Sequence, residues 1–397
     1  MTAETHAPPR RRRRLALLLI AIVILAAAGS AYYYATATDA GAVGTHEFAY
    51  ITNSKSDNVT VLDVDAMRSL GPISVGRKPT AVAANPRRNE IYVVNTDSDS
   101  LSVIDMARNR VAATVAVHRA PASVAVSADG KRAYVANSGA DDASIIDLDA
   151  RRVVANLRTG QGASLVRVSP DGNTAVVLNR TAGSVTLIDA AKLQPRATLP
   201  ICKAPEDAAI LPDSSKLFVA CPTASQVAVV DLRIDKLLAV LNVGRTPLSL
   251  ALKPDGGELF VANFDAQSVS VIETATNEVG ASYLIGPNPT HALVSSDNSV
   301  LYATNAGSGS VSIFSIDDGK FQASVRVGSR PSAMAFAGGQ RYLLVVDAEA
   351  GGVSVVRITE KRYRSWTKPE IISPAAVYAS IPTGMQPNQI VVKALAP

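Results

Sequence analysis

The chain has 397 residues, 47% hydrophobic and 18% charged, with two Cys, four His and a formal net charge of +5. Those counts exclude a disulfide-dense miniprotein, a four-Cys zinc site and a His-rich metal centre. Gly and Pro are near ordinary usage, which removes the collagen-like and low-complexity classes.

The charge is unevenly placed. Residues 1–45 hold Arg10 to Arg14 against Glu4 and Asp39, a net of +3, so only +2 remains for the rest. A basic stretch (1–14) is followed by an apolar, uncharged one (15–34) ending in Tyr32 to Tyr34, then by a short linker (35–45). This order reads as a signal anchor, or as a signal peptide cleaved near Ala26-Ala27-Ala28 or Ala35-Thr36-Ala37. An uncleaved helix would leave the arginines in the cytoplasm and the rest exported, to the periplasmic or cell-surface side. The basic balance therefore marks topology and does not describe a polyanion-binding body.

From residue 46 to the end the chain is periodic. Tyr50/Asn53, Tyr92/Asn95 and Tyr134/Asn137 recur every 42 residues, continuing as Val176/Asn179, Phe218/Cys221, Phe260/Asn263, Tyr302/Asn305 and Leu344/Asp347. Asp63, Asp105, Asp147, Asp189, Asp231 and Glu273 form a second column, and Pro79, Pro121, Pro205, Pro247, Pro289 and Pro331 a third. The last proline of that series is due at 373 and arrives as Pro387, so the final repeat carries an insertion of 14 residues, with Trp366 and several cations. It falls between the third and fourth strands of its repeat, where it could dock a partner or the membrane surface; an ordinary long loop is the simpler reading.

Each repeat reads as four short strands, A to D. In one copy these are Ser123 to Val126, Ala133 to Asn137, Ala143 to Asp147 and Val153 to Leu157. Turns such as Ser169-Pro170-Asp171-Gly172 and Lys253-Pro254-Asp255-Gly256 join A to B, where Pro presets one turn angle and Gly supplies another. A period near 40 built from four strands predicts an all-β propeller of four-stranded blades. Residues 46–397, less the insertion, approach eight periods, so eight blades are expected, with seven as the alternative. The first copy begins at strand B, and Pro387 to Val392 has the A pattern, so the two termini should complete one blade together.

The strands Ile91-Tyr92-Val93-Val94-Asn95 and Ala133-Tyr134-Val135-Ala136-Asn137, each followed by a Ser-rich strand ending in Asp, resemble the YVTN-family β-propeller repeat. The resemblance covers about residues 46–392 and departs at Cys221 and Asp347, where the family Asn is missing. It implies the propeller fold and an exported or surface-layer-type protein. Related seven-bladed propellers include lactonases, so it does not fix an activity.

Residues repeated in every blade are expected to be structural, the Asn bonding a neighbouring loop backbone and the Asp making a turn into strand D. Function is sought where the copies differ. Cys202 stands in a Gly column and Cys221 in the Asn column, at one end of one blade. They form either a disulfide, which an exported compartment permits, or two buried thiols. The D-to-A links carry Arg77, Lys78, Arg119, Lys203, Arg245 and Arg330, a basic ring at one mouth of the channel that would favour an anionic ligand or serve as a solvated, salt-bridged rim. Below the ring the A strands present Glu206, Asp207 and His291, and Asp207 with His291 is the acid–imidazole pair that can be named.

No Gly-x-Ser-x-Gly, His-Glu-x-x-His or phosphate-loop motif occurs, and no catalytic residue, metal or cofactor is assigned. The leading expectation is a non-catalytic binding or scaffold module with a protein or anionic ligand at the channel mouth. The alternatives are a lactonase-like hydrolase, and a binder of polyanions such as single-stranded nucleic acid. The last has thin support, because Phe264 is the one obvious loop-tip aromatic on that face.

Overall fold

The computed structural model describes residues 46–358, 360–362 and 370–396. The chain divides into two units, 1–45 and 46–397. The first, with the apolar helix expected at 15–34, lies outside the described residues, as does Trp366 in the insertion. Among the described residues no helix is long and apolar enough to cross a membrane.

The described residues form eight four-stranded antiparallel sheets, the blades of a propeller. Strands A of blades 2 to 8 begin at Pro79, Pro121, Ala163, Ala208, Pro247, Pro289 and Pro331. Blade 1 takes strands B, C and D from Glu47–Asn53, Asn58–Asp63 and Arg68–Ser74, and strand A from Pro387–Ala394. The closing pair runs antiparallel, Phe48 opposite Lys393 and Ile51 opposite Ile390. The insertion leaves blade 8 between its C and D strands as a small hairpin of Glu360–Arg362 and Glu370–Ser373.

The sequence pattern explains the layering. The middles of strands B and C are apolar on both faces, as in Ile91-Tyr92-Val93-Val94, because each blade lies between two neighbours and those side chains are buried. The outer D strands alternate, as in Arg110–Ala116, because at the rim one side meets water. Eight apolar clusters result, one at each seam between neighbouring blades. The A-to-B turns close as their residues predict: Gly130, at φ +70°, donates its N–H to Ser127 O at 2.9 Å while Ser127 Oγ donates to Asp129.

The Asp column turns strand C into D as expected; Asp147 Oδ1 accepts the N–H groups of Asp149 and Ala150, and Asp189 Oδ1 those of Ala191 and Lys192. The Asn column differs from expectation. Its amides do not serve loop backbone but donate to hydroxyls on strand C of the same blade, Asn95 to Ser100 and Ser102, Asn179 to Ser184 and Thr186, Asn263 to Ser268 and Ser270. The D-to-A glycines lie against these Asn side chains: a Cβ on Gly76 would come within 2.7 Å of Asn95 Cβ.

Candidate functional site: the mouth and throat of the central channel

The A strands enclose the channel, and one irregularity aims their side chains into it. Just after the link proline the pairing with strand B slips by a residue, so that Pro79 faces Asn95 and Ala81 faces Val94, leaving Thr80 unpaired. The same slip occurs after Pro121, Ala163, Pro247, Pro289 and Pro331. A bulge turns its extra residue out of the ladder, and the residues at this position (Thr80, Ala122, Ser164, Leu248, Thr290 and Ser332) all line a cavity of about 410 Å³ in the channel. Glu206 holds the same position in blade 5 and lines it too.

The charges of this throat cluster on one side, from blades 4 and 5. Arg167 Nη2 meets Asp207 Oδ1 at 3.2 Å, and Arg180 pairs with Glu206. Asp207 is committed further: Oδ1 accepts the N–H of Ala208 at 2.8 Å and Oδ2 that of Leu250, in blade 6, at 2.9 Å. The Leu250 contact has precedents, since Ser123 Oγ accepts Val166 N–H and Ser249 Oγ accepts Ala292 N–H across the matching seams. Asp207 thus does a serine's structural work and also holds Arg167. Burial raises the Glu206 carboxyl above its usual range, with Asp207 adding to the shift and Arg180 opposing it.

His291, from blade 7, lines the same throat. Burial pushes its imidazole below the ordinary histidine value; Asp207 opposes that shift and Arg167 adds to it. Its Nδ1 is buried without a hydrogen-bond partner, as is Ser332 Oγ on the neighbouring blade. The structure therefore brings Asp207 and His291 into one cavity but makes no hydrogen bond between them.

Above the throat, and sharing Thr290 and Ser332 with it, lies a wider cavity of about 500 Å³. It is bordered by one repeated position of the B-to-C loops, which is alanine in two consecutive blades. That position is Ser54, Thr96, Ser138, Arg180, Pro222, Phe264, Ala306 and Ala348 around the ring. Ala306 and Ala348 leave the space, half-buried Phe264 forms one wall, and Arg330 and Glu349 form an exposed ion pair at 3.0 Å on its rim.

The basic ring is not gathered at this opening. Arg77 Nη2 donates to Asp97 O, Arg119 Nε to Gly139 O and Arg245 Nη2 to Asp265 O, each fastening a D-to-A link to the B-to-C loop about 20 residues on. Lys78 pairs with Asp97, and Lys203 stands exposed. Of the six cations, Arg330 alone lines the mouth or throat cavity. The two cysteines, Cys202 and Cys221, are joined in a disulfide at the start of blade 5, a few residues from Glu206 and Asp207.

Arg167, Arg180, Thr290, Ser332 and the Ala306–Ala348 gap were missed by sequence reasoning. The signal lay in the columns. Arg167 falls where other blades have Ala83, Ala125, Ala209, Ala251, Leu293, Ala335 and Val391, and Arg180 where most have a small residue. Among the described residues one group has the composition of a metal site, His46 with Asp63 and Asp65. It lies at the opposite face, and Asp63 there accepts Ala66 N–H as its column requires.

No curated protein sequence matches the chain. Hydrazine synthase of Kuenenia stuttgartiensis is similar over 67% of this chain and 91% of that one, at 24% identity and a TM-score of 0.56. Dihydro-heme d1 dehydrogenase NirN, in complex with DHE, is similar over 87% and 74% at 14% identity and a TM-score of 0.71. A protein of unknown function from Desulfotomaculum acetoxidans DSM 771 is similar over 80% and 98% at 17% identity and a TM-score of 0.56. At these identities the likeness is one of fold. The model of the YNCE-like beta-propeller family matches residues 71–255. With that match and eight blades built on one repeat, the chain carries an eight-bladed β-propeller that is consistent with the YVTN type.

Proposed function

We propose that the propeller is a non-catalytic binding module whose ligand enters the mouth formed by the D-to-A links and B-to-C loops. The observation that carries this reading is the state of Asp207. Both its oxygens are engaged, by Arg167, Ala208 and Leu250, and its carboxylate is held in those contacts and not hydrogen-bonded to the His291 imidazole, so the pair is not set up as a base and its orienter. The lactonase-like alternative would need that pair, or a metal, at the mouth. Open, mostly preformed cavities with a few converging polar atoms are the usual form of a binding site.

We further propose that the module works outside the cytoplasm, held at a membrane by residues 15–34. The +3 charge of residues 1–45 supports this orientation, and the Cys202–Cys221 disulfide is of a kind that persists in oxidising compartments. Nucleic acid is disfavoured as a ligand, because the rim arginines are spent on loop carbonyls and one aromatic stands at the mouth.

The test is an assay of the full chain against a panel of lactones and esters, with and without added zinc or calcium. No turnover above buffer is expected. Turnover lost in His291→Ala would overturn the binding reading in favour of the hydrolase. Thiol titration in denaturant of protein taken from its native compartment should find no free thiol; two would remove the support for export.

A further inference from the structure

We propose that the ligand of this mouth is an uncharged, polyhydroxylated ring compound, a mono- or disaccharide; the proposal rests on reading the mouth as a binding site. Charge is the first argument. In the throat each cation has its anion, Arg167 with Asp207 and Arg180 with Glu206, and at the rim Arg330 has Glu349. An ionic ligand would give up its water for a site with no unpaired counter-charge, which is costly; a neutral one meets no such penalty.

The unpartnered polar atoms give the second argument. Ser332 Oγ and His291 Nδ1 are buried, lack protein partners and lie on adjacent blades, Ser332 lining both mouth and throat and His291 the throat. A neutral imidazole offers one donor and one acceptor, and a serine hydroxyl offers both. A carboxylate could only accept from them and an ammonium only donate. A hydroxyl group does either, so a ligand bearing several satisfies both atoms, whichever imidazole nitrogen holds the proton, once the two side chains turn toward the cavity.

Shape is the third. The mouth of about 500 Å³ suits one or two sugar rings, with the throat below for a substituent. Phe264 on its wall, with Ala306 and Ala348 as the floor, presents an apolar surface to the C–H face of a pyranose, while Asn288 and Gln386 stand at its edge. Arg–carboxylate pairs suit the same partner, because paired hydroxyls can bond both members without breaking the pair.

The test is calorimetric and NMR titration of the full chain with glucose, galactose, N-acetylglucosamine, maltose and trehalose, and with citrate and inorganic phosphate as anionic probes. At least one sugar is expected to bind, with an affinity that changes less than about twofold between about 50 and about 500 mM salt. Phe264→Ala and Ser332→Ala are each expected to weaken it about tenfold. Ala348→Leu, which fills the floor without removing a contact, should abolish it. Binding of no sugar in the panel, or sugar binding indifferent to Ala348→Leu, overturns the proposal. Salt-sensitive binding of citrate or phosphate alone, blocked by Ala348→Leu, overturns the ligand class and leaves the mouth as the binding site.

Discussion

Cys202 and Cys221, 5.9 Å apart at Cα and joined by a disulfide, occupy in blade 5 the two positions that Gly and Asn hold in blades 1, 2, 4, 6 and 7. In those blades the glycine leaves no room for a Cβ against the Asn, and the Asn amide donates to a strand C hydroxyl seven residues on. Blade 5 has Ala228 at that hydroxyl position. The clip and the missing hydroxyl belong together, because an amide at 221 would find no acceptor there. Loss of the bond in Cys202→Ala/Cys221→Ala should cost about 3 kcal/mol. Cys202→Gly/Cys221→Asn should remain destabilised until Ala228→Ser is added, which recovers about 1 kcal/mol. Urea unfolding of the three variants under non-reducing conditions is the measurement, and no gain on adding Ala228→Ser would contradict the pairing argument.

Asp347 is the one carboxyl in the Asn column, and burial raises it above the ordinary aspartate range, against the bonds from Ser354 Oγ and Gly328 N–H that favour its charged form. The sign of its effect follows. The folded state holds this proton more tightly than the unfolded chain does, so the burial penalty is absent below the unfolded value near pH ~4 and sets in as pH rises toward the folded value. Asp347→Asn keeps the shape and restores the donor to Ser354. It should stabilise by about 1 kcal/mol at neutral pH and by much less near pH ~3. Melting curves of both proteins across pH check it; an equal gain at both ends would remove ionisation as the cause.

Asp207 ties three blades, and its substitutions should rank by which tie they keep. Asp207→Ala leaves Leu250 N–H and Arg167 without their acceptor and should cost about 2 kcal/mol, tempered by the partial exposure of both side chains. Asp207→Ser should be milder, because Ser123 and Ser249 make the equivalent seam contact. Denaturation midpoints that place Ser no better than Ala would show that the Leu250 bond carries little.

The rim arginines give a contrasting expectation. Arg77→Ala, Arg119→Ala and Arg245→Ala each remove an exposed bond to a loop carbonyl, worth no more than about 1 kcal/mol. Ligand affinity at the mouth should be unaffected by any of them. A steep drop in affinity in all three would restore the basic ring as a ligand-binding element.

The fold was legible because its determinants are local and repeated. Link proline, Pro-Asp-Gly turn and buried B and C strands recur at fixed spacing, and the Pro387 strand could be matched to the A column by pattern alone. Cys202 and Cys221 were placed together for the same reason, since both stand in known columns. The site was less legible, because a propeller brings together residues from different blades and the one-residue slip after each link proline sets which of them face inward. Asp207 and His291 were visible as titratable residues on A strands. Ser332 was not, since a serine looks ordinary until its hydroxyl is found buried and unpartnered. The space over Ala306 and Ala348 is the hardest kind of feature to read, being made by what small residues do not fill.

The joining of Glu47–Asn53 to Pro387–Ala394 also sets an order of events in folding. Seven blades draw all their strands from contiguous sequence and can assemble from neighbours, but blade 1 must wait for a strand more than 300 positions downstream. Until it arrives, strand B of that blade carries an open row of N–H and C=O groups beside its apolar face. Closure across so long a separation is slow relative to local pairing. The circle is therefore sealed by its last-made strand, and the seam at Phe48 and Lys393 is where a newly made chain stays vulnerable longest to proteases and to pairing with another copy of itself.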